Sequence, residues 1–189
     1  MSLCIPPSLG GEHGITKTDI LPKDLCNRII GLSKKSTYRA GRVLDKQGKE
    51  TNVVSIRQVD VWRIHEQEVW LDELLIDQVV RANETFNYNL SGLLERPQLL
   101  RYKSPNNSYD WHSDIGSGDS SNRKISCSIL LNESFKGGTL EFFLNGKQSC
   151  NMEIGDCILF SSFISHRVTR VTEGERWSLV AWFSGPQFR

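Results

Sequence analysis

Two short stretches constrain this chain more than any other feature. From Ile125 to Leu131 the odd positions hold Ile125, Cys127, Ile129 and Leu131, and the even ones Ser126, Ser128 and Leu130. From Arg176 to Phe183 the odd positions hold Trp177, Leu179, Ala181 and Phe183, and the even ones Arg176, Ser178, Val180 and Trp182. Side chains alternate across a strand, so each stretch has one wholly apolar face and one face mixing small polar groups with an arginine. A sheet open to water would carry charge outward, not serine backed by hydrocarbon. The expectation is a sheet covered on its apolar side, with its other side lining a barrel-like cavity for a small ligand.

The cover is legible upstream. Leu71, Leu74, Leu75, Val79, Ala82, Phe86 and Leu90 trace one stripe at i, i+3, i+4 steps, which predicts a helix from about Glu68 to Asn89. A shorter helix follows Pro22, with Leu25, Ile29 and Leu32 at helical spacing. Between the helices, Val53 to Trp62 reads as a strand. Near Pro97 the period changes to two, and strands are expected at 97–103, 108–114, 124–132, 138–144, 156–161, 164–172 and 175–184. Turn signals at Ser104-Pro105-Asn106-Asn107, Gly137-Gly138, Gly155-Asp156 and Thr172-Glu173-Gly174-Glu175 separate them. Many short strands imply a mainly β fold with N-terminal helices: a sandwich, jelly roll or barrel. Residues 1–96 read as a support region and 97–189 as the core of one integrated domain.

Composition narrows the function. Lys and Arg number 23 against 22 Asp and Glu, for a formal charge of +1, which disfavours a polyanion-coating protein. No basic groove with stacking aromatics is evident, which argues against nucleic acid as substrate. No apolar run approaches the ~18 residues of a membrane span. The start lacks the basic and apolar regions of a secretory signal. The five cysteines (Cys4, Cys26, Cys127, Cys150 and Cys157) form no C-x-x-C pair and are odd in number, which suits reduced thiols in a cytoplasmic protein.

His112 and Asp114 lie two apart on an expected strand, and His166 falls on a later one. Two imidazoles and a carboxylate on neighbouring strands can cap one face of an octahedral metal, the arrangement associated with non-haem Fe(II) oxygenases. Arg176 follows on the cavity face. An arginine pointing into a barrel is costly unless it meets a carboxylate, and its same-face neighbours Ser178 and Val180 supply none. A ligand carboxylate bound bidentately would satisfy it, with Ser178, Ser126 or Ser128 adding a hydrogen bond. His13 and His65 carry no assigned role. The five tryptophans read as packing, with Trp182 on the Arg176 face as the exception to watch.

The order His112-x-Asp114, His166, Arg176-x-Ser178 resembles the iron- and 2-oxoglutarate-dependent dioxygenases. Leu100-Arg101-Tyr102, Tyr109-x-x-His112-x-Asp114, Leu131-Asn132-Glu133, Gly137-Gly138, Gly155-Asp156 and His166-Arg167-Val168 look like the prolyl 4-hydroxylase-type branch. The resemblance covers roughly 97–184. It implies a double-stranded β-helix (jelly roll) with helices packed on the major sheet. It further implies Fe(II) held by His112, Asp114 and His166, and the distal carboxylate of 2-oxoglutarate held by Arg176. Tyr102 matches a tyrosine that hydrogen-bonds the cosubstrate, Ser126 a position near it, and Tyr109 a position close to iron and substrate. Collagen-type members have lysine where Arg176 stands, so this chain looks closer to the bacterial and oxygen-sensing hydroxylases. The expected activity is hydroxylation of an unidentified substrate, with a peptidyl proline as the candidate, O2 being consumed and 2-oxoglutarate converted to succinate and CO2. The alternatives are the same chemistry on a free amino acid or other small molecule, and a non-catalytic metal- or ligand-binding jelly-roll module. The Gly- and Ser-rich segment 115–122 is expected as a mobile loop at the cavity mouth.

Overall fold

In the computed structural model, which describes residues 14–18, 20–40, 43–44, 50–51 and 56–187, both alternating stretches are strands buried on their two faces. In chain order the elements are β1 (Ile15–Thr18), α1 (Lys23–Gly31), β2 (Thr37–Ala40), β3 (Val43–Leu44), β4 (Glu50–Thr51), β5 (Arg57–Gln58), β6 (Asp60–Arg63) and α2 (Val69–Phe86). There follow β7 (Gly92–Leu93), β8 (Gln98–Lys103), β9 (Ser108–His112), β10 (Arg123–Leu130), β11 (Phe135–Gly137), β12 (Leu140–Phe143) and β13 (Lys147–Cys150). The chain closes with β14 (Cys157–Ser161), β15 (His166–Val168) and β16 (Val171–Ser184).

Among the described residues, a nine-stranded sheet runs β1-β14-β10-β16-β8-β6-β2, with β7 and β11 also on β16. A five-stranded sheet runs β13-β12-β15-β9-β5, and β3 and β4 pair apart from both. Every pairing among the described residues is antiparallel. In the register of β10 and β16, Cys127 lies opposite Ala181 and Ile129 opposite Leu179. The odd face of this pair packs under the helices. Leu71, Leu75, Val79 and Ala82 of α2, with Cys26 and Ile29 of α1, form one core with Ile125, Cys127, Ile129, Leu179, Ala181 and Phe183. Burying each large side chain there is worth roughly 1.5–3 kcal/mol. The even face looks into a second core between the sheets, where Leu100, Tyr102, Ile158 and Phe160 meet Leu140, Phe142 and Val168. No helix among the described residues is long and apolar enough to cross a membrane.

Several elements differ from expectation, each for a tertiary reason. Of the strand expected from Val53 to Trp62, residues 52–55 lie outside the described residues. The remainder is two strands: β5 belongs to the five-stranded sheet and β6 to the nine-stranded one. The chain changes sheet at Val59, which is buried, so its hydrophobic pattern runs on unbroken. The turn expected at 172–175 is absent. The corner lies at Thr169 and Arg170, and β16 runs straight through Gly174. That glycine (φ +69°) marks the close approach of β11, since a Cβ there would sit 2.3 Å from the Ser134 carbonyl oxygen. The segment 115–122 contains a turn of 3-10 helix at Gly118–Asn122, with Ser120 buried. Strands β1, β2, β7, β11 and β13 are too short or too polar to show a period.

Candidate metal centre and active site

The site begins with an irregularity in β9. His166 pairs with His112 but Val168 pairs with Tyr109, so β9 uses three steps where β15 uses two. That is a β-bulge, one extra residue that re-aims the side chains beyond it. The Trp111 N–H freed by the bulge is taken by the Asp110 carboxylate at 2.8 Å, and the Asp110 N–H donates to the Ile56 carbonyl at 2.8 Å. The bulge puts Tyr109 and His112 on one face, where their rings stack with centroids 3.5 Å apart. Asp114 lies past the end of β9, not on it. Its N–H donates to the Ser162 carbonyl at 2.9 Å, which ties it to the β14 end of the other sheet.

His112, Asp114 and His166 converge, with their ligand atoms all within 4.8 Å of one another. Asp114 Oδ1 is 3.7 Å from His112 Nε2, and its Oδ2 is 3.6 Å from His166 Nε2. The Nδ1 atoms lie 2.7 Å from the Asp110 carbonyl (His112) and 3.0 Å from the Ile164 carbonyl (His166). A carbonyl only accepts, so each Nδ1 carries the proton and each Nε2 presents a lone pair inward. Such backbone-oriented imidazoles with one carboxylate are the donor set a divalent transition metal takes. The residues therefore fit an iron.

Supporting groups surround the carboxylate. Ser126 Oγ donates to Asp114 Oδ2 at 2.6 Å and lies 3.0 Å from Ser162 Oγ. Arg123 donates to the Asp114 carbonyl at 3.0 Å, is forked onto Glu95 at 2.6 Å, and lies 4.0 Å over the Trp182 ring. Ser162, Arg123 and Glu95 carried no signal in the sequence, because they come from a corner, a strand start and the loop between β7 and β8. Burial would push the Asp114 carboxyl up, but the two imidazoles and the Ser126 hydroxyl more than reverse this and hold it at about 2.

Burial first, and His166 second, lower the His112 imidazole from 6.5 to about 3. An unfolded imidazole binds a proton below 6.5 where the folded one does not. His112 thus contributes stability that is full above 6.5 and lost as pH falls toward 3, at up to about 1.4 kcal/mol per pH unit. Thermal melts of cofactor-free protein from pH 7 to 4 should show that decline, and His112→Asn should flatten it. An equally steep slope in His112→Asn would place the acid sensitivity elsewhere.

Arg176 lies farther along the same inter-sheet face, opposite Tyr102 in the register of β16 and β8. Only 2% of it is exposed. It donates to Ser178 Oγ at 2.9 Å, its guanidinium carbon is 5.7 Å from the Tyr102 ring centre, and no carboxylate pairs with it among the described residues. Burial lowers its proton affinity. A Cβ on Gly138 would come within 2.8 Å of the Arg176 Cδ, so a glycine is required where the β11–β12 corner crosses the stem. A cavity of about 180 Å³ opens beside that stem, lined by Leu130, Leu140, Thr139, Cys150 and Met152 among others. Ser126, expected near a cosubstrate, has its hydroxyl on Asp114; Ser128 faces the same interior and is buried. Trp182 sits at the metal end, opposite Ser126, and not at the Arg176 end. His65 is exposed, and His13 lies outside the described residues.

Two imidazoles and a carboxylate gathered between antiparallel sheets, with a buried arginine on the same face, are a donor set that suits a non-haem metal. Comparison with known proteins agrees. Residues 97–184 match the sequence model of the 2OG-Fe(II) oxygenase superfamily. A PKHD-type hydroxylase of Hyphomonas neptunium is 34% identical over 93 residues, 46% of this chain and 42% of that one. A PKHD-type hydroxylase of Thermosynechococcus vestitus is 31% identical over 117 residues, 58% of this chain and 52% of that one. The chain spans about half the length of the curated relatives it matches. A Pseudomonas putida prolyl-4-hydroxylase superposes with a TM-score of 0.70 at 22% identity, over 92% of this chain and 94% of that one. A Trichoplax adhaerens prolyl hydroxylase, in complex with a hypoxia inducible factor peptide fragment, superposes with a TM-score of 0.73 at 17% identity, over 91% and 84%. At those identities the superpositions establish a shared fold. Residues 97–184 are thus similar in sequence to the 2OG-Fe(II) oxygenase superfamily, on a fold shared with the Pseudomonas putida prolyl-4-hydroxylase.

Proposed function

We propose that this protein is an Fe(II)- and 2-oxoglutarate-dependent hydroxylase, built on a double-stranded β-helix, with a peptidyl proline as its substrate class. The observation that carries the reading is the convergence of His112, Asp114 and His166 at one end of an inter-sheet face whose other end holds a buried arginine with no acidic partner among the described residues. The printed name of the Pseudomonas putida neighbour, a prolyl-4-hydroxylase, and the peptide bound by the Trichoplax adhaerens enzyme support the substrate class. The free thiols at Cys26, Cys127 and Cys157, all buried, support a reducing, cytoplasmic setting.

His112, Asp114 and His166 would hold the metal, with Ser126 fixing one carboxylate oxygen and the Asp110 and Ile164 carbonyls fixing the imidazoles. Arg176, steadied by Ser178, would bind the distal carboxylate of the cosubstrate and so fix which end of it reaches the metal. Tyr102 stands beside that arginine, and Tyr109 stands at the metal. The phenol of Tyr109 is pushed up to about 12, chiefly by burial, so it stays neutral and available as a donor toward substrate. When bound, Fe(II) with 2-oxoglutarate and O2 supplies C–H hydroxylation coupled to oxidative decarboxylation, yielding succinate and CO2.

The test is an anaerobic titration of cofactor-free protein with Fe(II) and then 2-oxoglutarate, read by the visible charge-transfer band of the chelate. A saturable band supports the reading. A folded, iron-loaded protein with no band would sink it in favour of a ligand-binding module. Succinate release across panels of proline peptides and small molecules then separates the substrate classes.

A further inference from the structure

The short strand β5 pairs with β9 beside its bulge, and two contacts from this segment lead to one metal ligand. Arg57 pairs with Tyr109 in the β5–β9 register. The neighbouring Ile56 carbonyl accepts the N–H of Asp110, the residue whose own carbonyl accepts the hydrogen bond of His112 Nδ1. The Arg57 guanidinium lies 4.6 Å over the Tyr109 ring. One face of that ring is already filled by His112, stacked at 3.5 Å with the planes 13° apart, so the other face is left to the guanidinium.

We propose that Arg57 is a positioning residue for the metal site, holding the Tyr109 ring flat against His112 and so setting the plane of that imidazole. The proposal rests on the metal reading given above. A single hydrogen bond at Nδ1 leaves an imidazole free to rock about that contact. What limits the rocking is what lies on the ring's two faces. On one side His166 lies 4.2 Å away, tilted by 54°, and offers an edge contact. On the other, Tyr109 offers a parallel plane, but a tyrosine on a two-residue-wide strand contact needs something behind it. A planar guanidinium stacks on an aromatic face as a lysine ammonium does not, and cation–π attraction strengthens where water is kept away. Outer partners of this kind typically change metal affinity 10- to 100-fold when removed.

The test uses Co(II), titrated into the cofactor-free full chain and read by its dissociation constant and its visible ligand-field band. Arg57→Met should weaken Co(II) binding about tenfold and shift or broaden the band, with an unchanged far-ultraviolet circular dichroism spectrum. Arg57→Lys should fall between Arg57→Met and the natural chain. Tyr109→Leu should match Arg57→Met, and the double variant should be no weaker than Tyr109→Leu alone, because both remove one stack. Wild-type affinity and band shape in Arg57→Met would overturn the proposal, as would additive losses in the double variant. If Arg57→Met does not fold, the same comparison runs on Arg57→Lys, where an unaltered band and constant would overturn it. A natural chain that binds no Co(II) saturably would remove the metal reading itself; a natural chain that binds while Arg57→Met binds equally well would remove only the role of Arg57.

Discussion

Arg176→Met is expected to make the cofactor-free protein more stable and its 2-oxoglutarate binding far weaker. The side chain is almost wholly buried, its charge meets one serine hydroxyl, and no acid pairs with it among the described residues. A buried charge without a counter-ion is held against a desolvation cost of several kcal/mol. Methionine fills a similar volume with no charge, and apolar replacement of buried ionic groups is often neutral to stabilising by about 1–4 kcal/mol. In a chain of this size each kcal/mol moves the melting temperature by roughly 2–4 °C, so a rise of several degrees should be visible in a thermal melt. Under the proposed function, the same change removes the partner of the cosubstrate's distal carboxylate. Losing one side of a buried, hydrogen-bonded charge pair costs about 2–5 kcal/mol, so at least ~30-fold more 2-oxoglutarate should be needed to develop the charge-transfer band. A variant that melts lower and binds 2-oxoglutarate normally would show that Arg176 is a structural cation. The gain in stability and the loss of binding have one origin: the site keeps a desolvated charge ready for a ligand.

His112→Ala and Asp114→Ala should each abolish iron-dependent turnover while leaving the fold intact. His112 ends β9 at the edge of the inter-sheet space, and Asp114 sits in a bend held by its own backbone. Neither side chain belongs to either hydrophobic core. Removing a donor should weaken metal binding by more than the roughly 10- to 100-fold that removing a supporting partner costs. Asp114→Ala should be the more severe of the two, since Asp114 contacts both imidazoles and carries the only charge in the set. Circular dichroism and a melt within a few degrees of the natural chain, together with lost turnover, would bear this out. Natural turnover in either variant would remove that residue from the metal site.

How much of this was legible in the chain can be judged residue by residue. The two-faced patterns at 125–131 and 176–183 were readable because each strand is buried on both sides by chemically different layers: helices on one, a second core mixed with polar groups on the other. The α2 stripe was readable because a helix lying on a flat sheet buries one face over its whole length. His112, Asp114 and His166 could be gathered from spacing and residue type, and Arg176 from the absence of any acid on its own strand face. The corners were not readable. The chain passes from one sheet to the other at Val59 without a break in its hydrophobic pattern, and Gly174 imitates a turn while marking the approach of β11.

The supporting groups were not readable either. Ser162 reaches Asp114, and Arg57 reaches Tyr109, from segments distant in sequence, while Arg123 reaches Asp114 across the intervening Gly- and Ser-rich segment. The sequence by itself determined which residues could bind a metal and a carboxylate, because that depends on side-chain chemistry and on alternation along single strands. Only the tertiary structure decided how those residues are aimed, because aim depends on a bulge in β9 and on contacts between segments whose proximity no local pattern encodes.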